Sequence, residues 1–242
     1  MLKNQTSQRP ETRDTRSQTR HVGAAPLLPP AIAYVVLALA GIVAPTAVAG
    51  VAPYSSDADL LDFYTHHLGA AHLSAFLLLA SAVPFVVFTA IASHRVQAAG
   101  LDVPGQLIAL VGGTVAAALL AMSGLATLAL TQEHVADSPV AIRTLNALAF
   151  ATGGPGFVVF SGLLLAGISL PALAGRMVPR WVGWFGLAIA AVCELAALTA
   201  AIPALDPLLP VGRFGGLVWV LATALTLARP RAAGRGSAVE RQ

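Results

Sequence analysis

Six apolar runs, each at least as long as the ~20 residues needed to cross a hydrocarbon layer of about 30 Å, alternate along this chain with short polar connectors. They fall at about 29–50, 68–93, 104–130, 139–170, 181–202 and 208–228. The pattern predicts an all-α fold, a polytopic membrane bundle of six transmembrane helices. Polar residues collect in two tails, 1–28 and 229–242. The first tail mixes Lys3, Arg9, Arg13, Arg16 and Arg20 with Gln, Thr and Ser. It holds too little apolar surface to repay ordering and is expected to be disordered.

The runs carry local signals of their own. Pro45 should kink the end of the first span, and Pro84 should interrupt the second. Gly112, Gly113, Ala116 and Gly124 permit close helix approach and make the third span the expected centre of the bundle. Ser55 or Ser56 is expected to cap a helix beginning near Asp57 and running straight into the second span, with its early carboxylates at the positive end. Asp137 or Ser138 before Pro139 is a start signal for the fourth span. Gly153-Gly154-Pro155-Gly156 then interrupts that span, and reads as a kink with close packing ahead of an exposed-carbonyl ligand site.

Composition agrees with lipid as the solvent. Hydrophobic residues make up 57% and charged residues 10%, against roughly 45–50% and 25% in soluble domains; mean hydropathy is +0.77. A net charge of +3 could suggest nucleic acid, but the positions of the charges argue otherwise. Twelve of the 14 Lys and Arg residues lie in the two tails and the second and fourth connectors. The first and third connectors carry only the acids Asp57, Asp59, Asp62, Glu133 and Asp137. This is the positive-inside bias, and it predicts cytoplasmic N- and C-termini in a bacterial cytoplasmic membrane, with the bilayer and not nucleic acid as partner. Arg143 and Arg213 alone run against it. A signal peptide ending at Ala47-Val48-Ala49 is the rival reading of the first run, which is longer than the roughly 7–15 residues of an h-region. The lone Cys193 excludes an intramolecular disulfide.

Chemistry must come from polar residues that the bilayer makes expensive, at roughly 2.5–3.5 kcal/mol for a charge near mid-span. Glu194 stands about 21 Å up the fifth helix from Arg180, at ~1.5 Å per residue. Arg213 enters the sixth helix from the opposite direction, so an ion pair between Glu194 and Arg213 is expected. Arg143, Asn146 and His72 lie at similar depth and could join it. Together the five residues predict an outward-facing polar cluster that binds a small ligand or a proton, or else a structural ion pair that fixes register. His66, His67, His72 and His134 raise the question of a metal, but recognised ligand spacings are missing. Neither a metal nor another cofactor is expected, and no catalytic motif occurs. A small-molecule ligand and a partner membrane protein remain the alternatives for what this cluster or the small-residue faces meet.

The stretch Arg143-Thr144-Leu145-Asn146-Ala147-Leu148-Ala149-Phe150, followed by Val178-Pro179-Arg180-Trp181-Val182-Gly183-Trp184-Phe185-Gly186, resembles a pattern in uncharacterised six-helix membrane proteins of high-GC bacteria. Its specific part is the Pro-Arg-Trp-x-Gly-Trp element. The resemblance implies a six-helix inner-membrane fold, with no established activity, cofactor or partner.

Overall fold

The structure, a computed structural model, describes residues 26–49, 57–100, 104–132, 135 and 138–227. The expected caps Ser55 and Ser56, the acids Glu133 and Asp137, His134, residues 1–25 and residues 228–242 lie outside the described residues. All regular structure among those described is helical. Six helical stretches are long and apolar enough to cross a membrane, and the protein is a multi-pass membrane protein of all-α architecture.

Helix α1 spans Leu28–Ala49, α2 Asp57–His66, α3 Leu68–Ala98 and α4 Gly105–Ala129. The fourth crossing is composite: α5, Pro139–Ala151, passes through a π-helical turn, Thr152–Gly156, into α6, Phe157–Ala174. Helix α7, Arg180–Leu195, tightens into a 3₁₀ turn at Ala196–Ala200, and α8 spans Leu208–Leu227. Ser138 is the residue that caps α5, accepting from the Ala141 N–H at 3.4 Å, with Pro139 in the first turn. Leu27, expected in the polar tail, is fully buried.

Two local expectations change. Helix α3 runs through Pro84 unbroken, since one missing N–H leaves the remaining ladder intact. The first-connector helix does not continue into the second span: His67, at φ −123° and ψ 36°, separates α2 from α3. Burial is the cause. Leu60, Phe63 and Tyr64 recur at helical spacing, and the break lets that face pack on Ala71, Leu130, Ile142 and Leu145.

The helices close a ring, with α1 on α3, α3 on α4, α4 on α6, α6 on α7, α7 on α8 and α8 back on α1. Small residues set the α4–α6 crossing. A Cβ on Gly167 would lie 2.6 Å from the Gly105 carbonyl oxygen and 2.7 Å from the Ala109 nitrogen, and one on Gly112 would lie 2.8 Å from the Phe160 carbonyl oxygen. Backbone meets backbone there, as small residues permit in lipid. Aromatic rings fill the middle: Tyr34 on Phe85 at 4.6 Å, Phe85 on Phe157 at 5.6 Å, and Phe88 edge-on to Trp219 at 6.5 Å. Ile32, Val36, Phe76, Val83, Leu107 and Val111 point outward, where lipid receives them.

The end of the bundle that carries α2 is called here the α2 end. The opposite end, where α1 begins and the Arg95 Nη1 donates to the Leu227 carbonyl at 2.7 Å, is the terminal end.

Candidate functional site

At the α2 end the ring is not filled. A partly open cavity of about 370 Å³ lies between the last turns of α1, the first turns of α3 and α8, the end of α4 and the α5–π junction. Volumes from roughly 300 Å³ upward are typical of small-molecule sites. Helix α2 covers it with Leu60, Phe63 and Tyr64. Burial in that position pushes the Tyr64 phenol up to about 12, and its hydroxyl donates to Asn146 Oδ1 at 3.4 Å. The phenol is therefore a neutral hydrogen-bonding group at any physiological pH.

The walls are tied by hydroxyls that satisfy themselves. Ser74 donates to the Gly41 carbonyl at 2.7 Å and Ser123 to the Ala149 carbonyl at 2.8 Å, which joins α3 to α1 and α4 to α5. Thr127 turns back to Ser123 at 2.9 Å. What remains is mainly apolar, with Ile42, Leu78, Phe150 and Leu209 among the lining residues.

Among the described residues, Arg213 is the one charged side chain lining the cavity. Its Nη1 donates to the Gly153 carbonyl at 2.9 Å, and its guanidinium carbon lies 5.2 Å from the Phe157 ring centre. The π turn creates this acceptor. The Phe157 N–H bonds the Thr152 and Gly154 carbonyls and passes over Gly153, so the Gly153 oxygen is released to the arginine. The missing side chain matters as well, because a Cβ on Gly153 would collide with Ser123 Oγ. A charge-assisted hydrogen bond contributes roughly 1.5–3 kcal/mol and a desolvated cation–π contact about 2. Together those terms are at least as large as the roughly 2.5–3.5 kcal/mol for a membrane-depth charge. Arg213 can thus be held without a carboxylate.

The expected Glu194–Arg213 ion pair does not form. Cys193 and Gly212 occupy the α7–α8 contact, a Cβ on Gly212 lying 3.0 Å from Cys193 Sγ. One residue further along each helix is a rotation of about 100°. That step sends Arg213 into the cavity and turns Glu194 to the outside of the bundle, where it is exposed and its carboxylate lies beside Gly162. Asn146 lines the cavity with Arg213. Arg143 is exposed on α5 and does not line it. His72 is also outside it, with Nε2 3.3 Å from Thr131 Oγ1. His66 and His67 have separate surroundings, His66 beside Asp62 at 2.9 Å and His67 stacked on Phe63 at 6.1 Å. Of the five expected site residues, the fold brings together Arg213 and Asn146.

Sequence reasoning missed the α2 contribution, although the Leu60, Phe63, Tyr64 spacing was a usable signal. It also missed a second polar feature. Thr89 Oγ1, Ser93 Oγ, Ser169 Oγ, Trp219 Nε1 and Thr223 Oγ1 are buried with no hydrogen-bond partner among the described residues. Thr89 and Ser93 are one turn apart on α3, as are Trp219 and Thr223 on α8. The Phe88–Trp219 contact joins the two faces, and a Cβ on Gly186 would strike both Ser169 Oγ and Trp219 Nε1. This polar seam lies on the terminal-end side of the Tyr34–Phe85–Phe157 layer. Buried polar groups nearly always have partners, so five orphaned ones in one region are a feature of the bundle to be explained.

An arginine at membrane depth with no acid among its described partners, a mostly apolar cavity beneath a covering helix, and a polar seam across the aromatic layer are thus what this fold assembles; no protein-family model, curated protein or solved structure matches the chain.

Proposed function

We propose that this chain is a ligand-binding membrane protein, transport-related or ligand-sensing, and that its ligand occupies the cavity beside Arg213 and Asn146. The observation that carries the reading is a cavity with one permanent cation and no acid among its described lining. An ionisable side chain inside a span is a functional-site candidate by default, even where neutral groups hold it. The charge bias of the loops supports an orientation with the α2 end outside and both tails in the cytoplasm of a bacterial cell, in keeping with the resemblance carried by the Pro-Arg-Trp-x-Gly-Trp element.

The unpaired seam favours transport over sensing. Its hydroxyls and indole N–H continue the polar character from the cavity level toward the terminal end, and they gain partners if that half of the bundle opens to water. Thr89→Val and Ser169→Ala separate the cases. If the seam is dry in the resting protein, each variant unfolds at the same or a higher temperature, because an unsatisfied buried group costs roughly 1–3 kcal/mol. Substrate flux across vesicles then falls. Flux unchanged in both variants would sink the transport reading.

The cavity itself is tested by filling it. Ile42→Trp places an indole where a ligand would lie, and is expected to abolish ligand-induced thermal stabilisation while the protein stays folded. Stabilisation equal to that of the unmodified protein would place the ligand elsewhere.

The alternative, a non-catalytic interaction subunit, has one observation in its favour, the exposed carboxylate of Glu194. A partner helix with a cation at that depth would shield it.

A further inference from the structure

We infer that the cavity takes a single-chain amphiphile with an anionic oxygen head, a carboxylate or a phosphate monoester, whose head engages Arg213 and whose tail lies along the apolar wall. This rests on the reading of the cavity as a ligand site and adds the class of ligand.

Three observations lead there. The first is charge. Arg213 is permanently protonated and carries five N–H donors in a planar fork. Its described partners are one carbonyl and one ring, with the buried Tyr34 phenol in electrostatic contact. All three are neutral groups that lower the energy of the cation, and none is a carboxylate that cancels its charge. An oxyanion does, and the guanidinium fork matches two oxygens of a carboxylate or phosphate. A cationic ligand would meet like charge with no described carboxylate in the lining to receive it.

The second is the distribution of polarity. The Asn146 amide and the Tyr64 hydroxyl line the same cavity as Arg213 and add hydrogen-bonding capacity, while Ile42, Leu60, Phe63, Leu78, Phe150 and Leu209 line the remainder. A small hydrophilic anion would leave most of that wall unused. An apolar tail buries it, at roughly 25 cal/mol per Å².

The third is the covering element. Helix α2 presents Leu60, Phe63 and Tyr64 to the cavity while Ala58, Asp59, Asp62 and Thr65 are exposed. It is joined to α3 through the single non-helical residue His67. With its apolar face turned inward, α2 forms the α2-end wall of the cavity, and the tail of an amphiphile held inside lies against Leu60 and Phe63.

The test uses the full chain in phosphatidylcholine nanodiscs, with dodecanoate, dodecyl phosphate, dodecanol and dodecyltrimethylammonium as probes and acetate as the tail-less control. Dodecanoate or dodecyl phosphate is expected to bind and to raise the unfolding temperature. Dodecanol should bind tenfold to about a hundredfold more weakly, the loss of a charge-assisted contact, and the ammonium and acetate should not bind measurably. A further series with phosphatidylglycerol in the nanodisc distinguishes the sources. If that lipid competes with dodecanoate, a phospholipid head is the anion; if it does not, a free single-chain acid or phosphate is. Either result keeps the shared chemistry. Arg213→Gln should erase the preference of dodecanoate over dodecanol, and Arg213→Lys should retain part of it. The comparison of heads on the unmodified protein serves even where a variant fails to fold.

Equal affinity for dodecanol and dodecanoate, with Ile42→Trp still abolishing both, overturns the anionic class and leaves the ligand cavity standing. No binding by any probe, with Ile42→Trp indistinguishable from the parent protein in every measurement, overturns the cavity reading itself.

Discussion

Replacing Gly167 by Val is expected to remove most of the folded protein from the membrane. A Cβ at this position would sit 2.6 Å from the Gly105 carbonyl oxygen, 2.7 Å from the Ala109 nitrogen and 2.9 Å from the Ala109 Cβ. None of these atoms is the end of a flexible side chain, so the α4 and α6 backbones must part. Overpacking usually costs about 1–3 kcal/mol and occasionally more. A contact between two backbones belongs at the upper end, near 3 kcal/mol, because no rotamer change relieves it. Separation would also open the contacts of Gly112 with Phe160, Leu163 and Leu164, which lie on the same crossing. Gly216→Val is the matched control, since nothing lies within 4 Å of a Cβ there. Thermal unfolding in nanodiscs and abundance in isolated membranes check the pair. If Gly167→Val is as stable as Gly216→Val, the α4–α6 crossing does not have the geometry described.

Glu194→Leu is expected to act in the opposite direction. The carboxylate is exposed on the outside of the bundle at a depth where a charge costs roughly 2.5–3.5 kcal/mol on insertion scales. Leucine removes that term, so the unfolding temperature should rise, with a gain of up to about 3 kcal/mol, and ligand binding in the cavity should not change. Glu194→Gln should lie between the two. The result bears on the choice of function. A protein that works alone through its cavity keeps its activity with leucine here, whereas an interaction subunit loses its partner and fails to co-purify with it. Lower stability of Glu194→Leu in the isolated protein would mean that the carboxylate has a structural role inside the bundle, contrary to its exposed position.

The same residue marks the boundary of what could be read in advance. The six crossings were legible because the bilayer imposes a length and an apolar composition on every span, and those constraints are local. The Ser138-Pro139 helix start was legible for the same reason, being settled within a few residues. The depth of Glu194 and of Arg213 followed from counting residues. Their facing did not, because a helix turns about 100° per residue, so an error of one position moves a group off the face on which it was placed. Cys193 and Gly212, not their charged neighbours, took the α7–α8 contact. The expected ion pair was lost by that single step.

The glycine cluster in the fourth crossing illustrates a subtler limit. Gly153-Gly154-Pro155-Gly156 signals an irregularity, and packing against Ser123 accounts for part of it. Only the fold reveals that the irregularity is a π turn, and that the carbonyl it releases is the one Arg213 reaches from α8. The two residues are 60 positions apart in sequence. No local rule connects them.

By itself, then, the order of residues determined the solvent, the number of crossings, the positions of the helix starts and the depth of each costly charge, because each is imposed on one segment by the bilayer or by its own backbone. Which charges meet, that α2 folds over the cavity, and that Arg213 lines it with no acid among the described lining were decided only when the helices packed. Rotation about a helix axis is set by the neighbours that fill its grooves, and those neighbours come from distant parts of the chain.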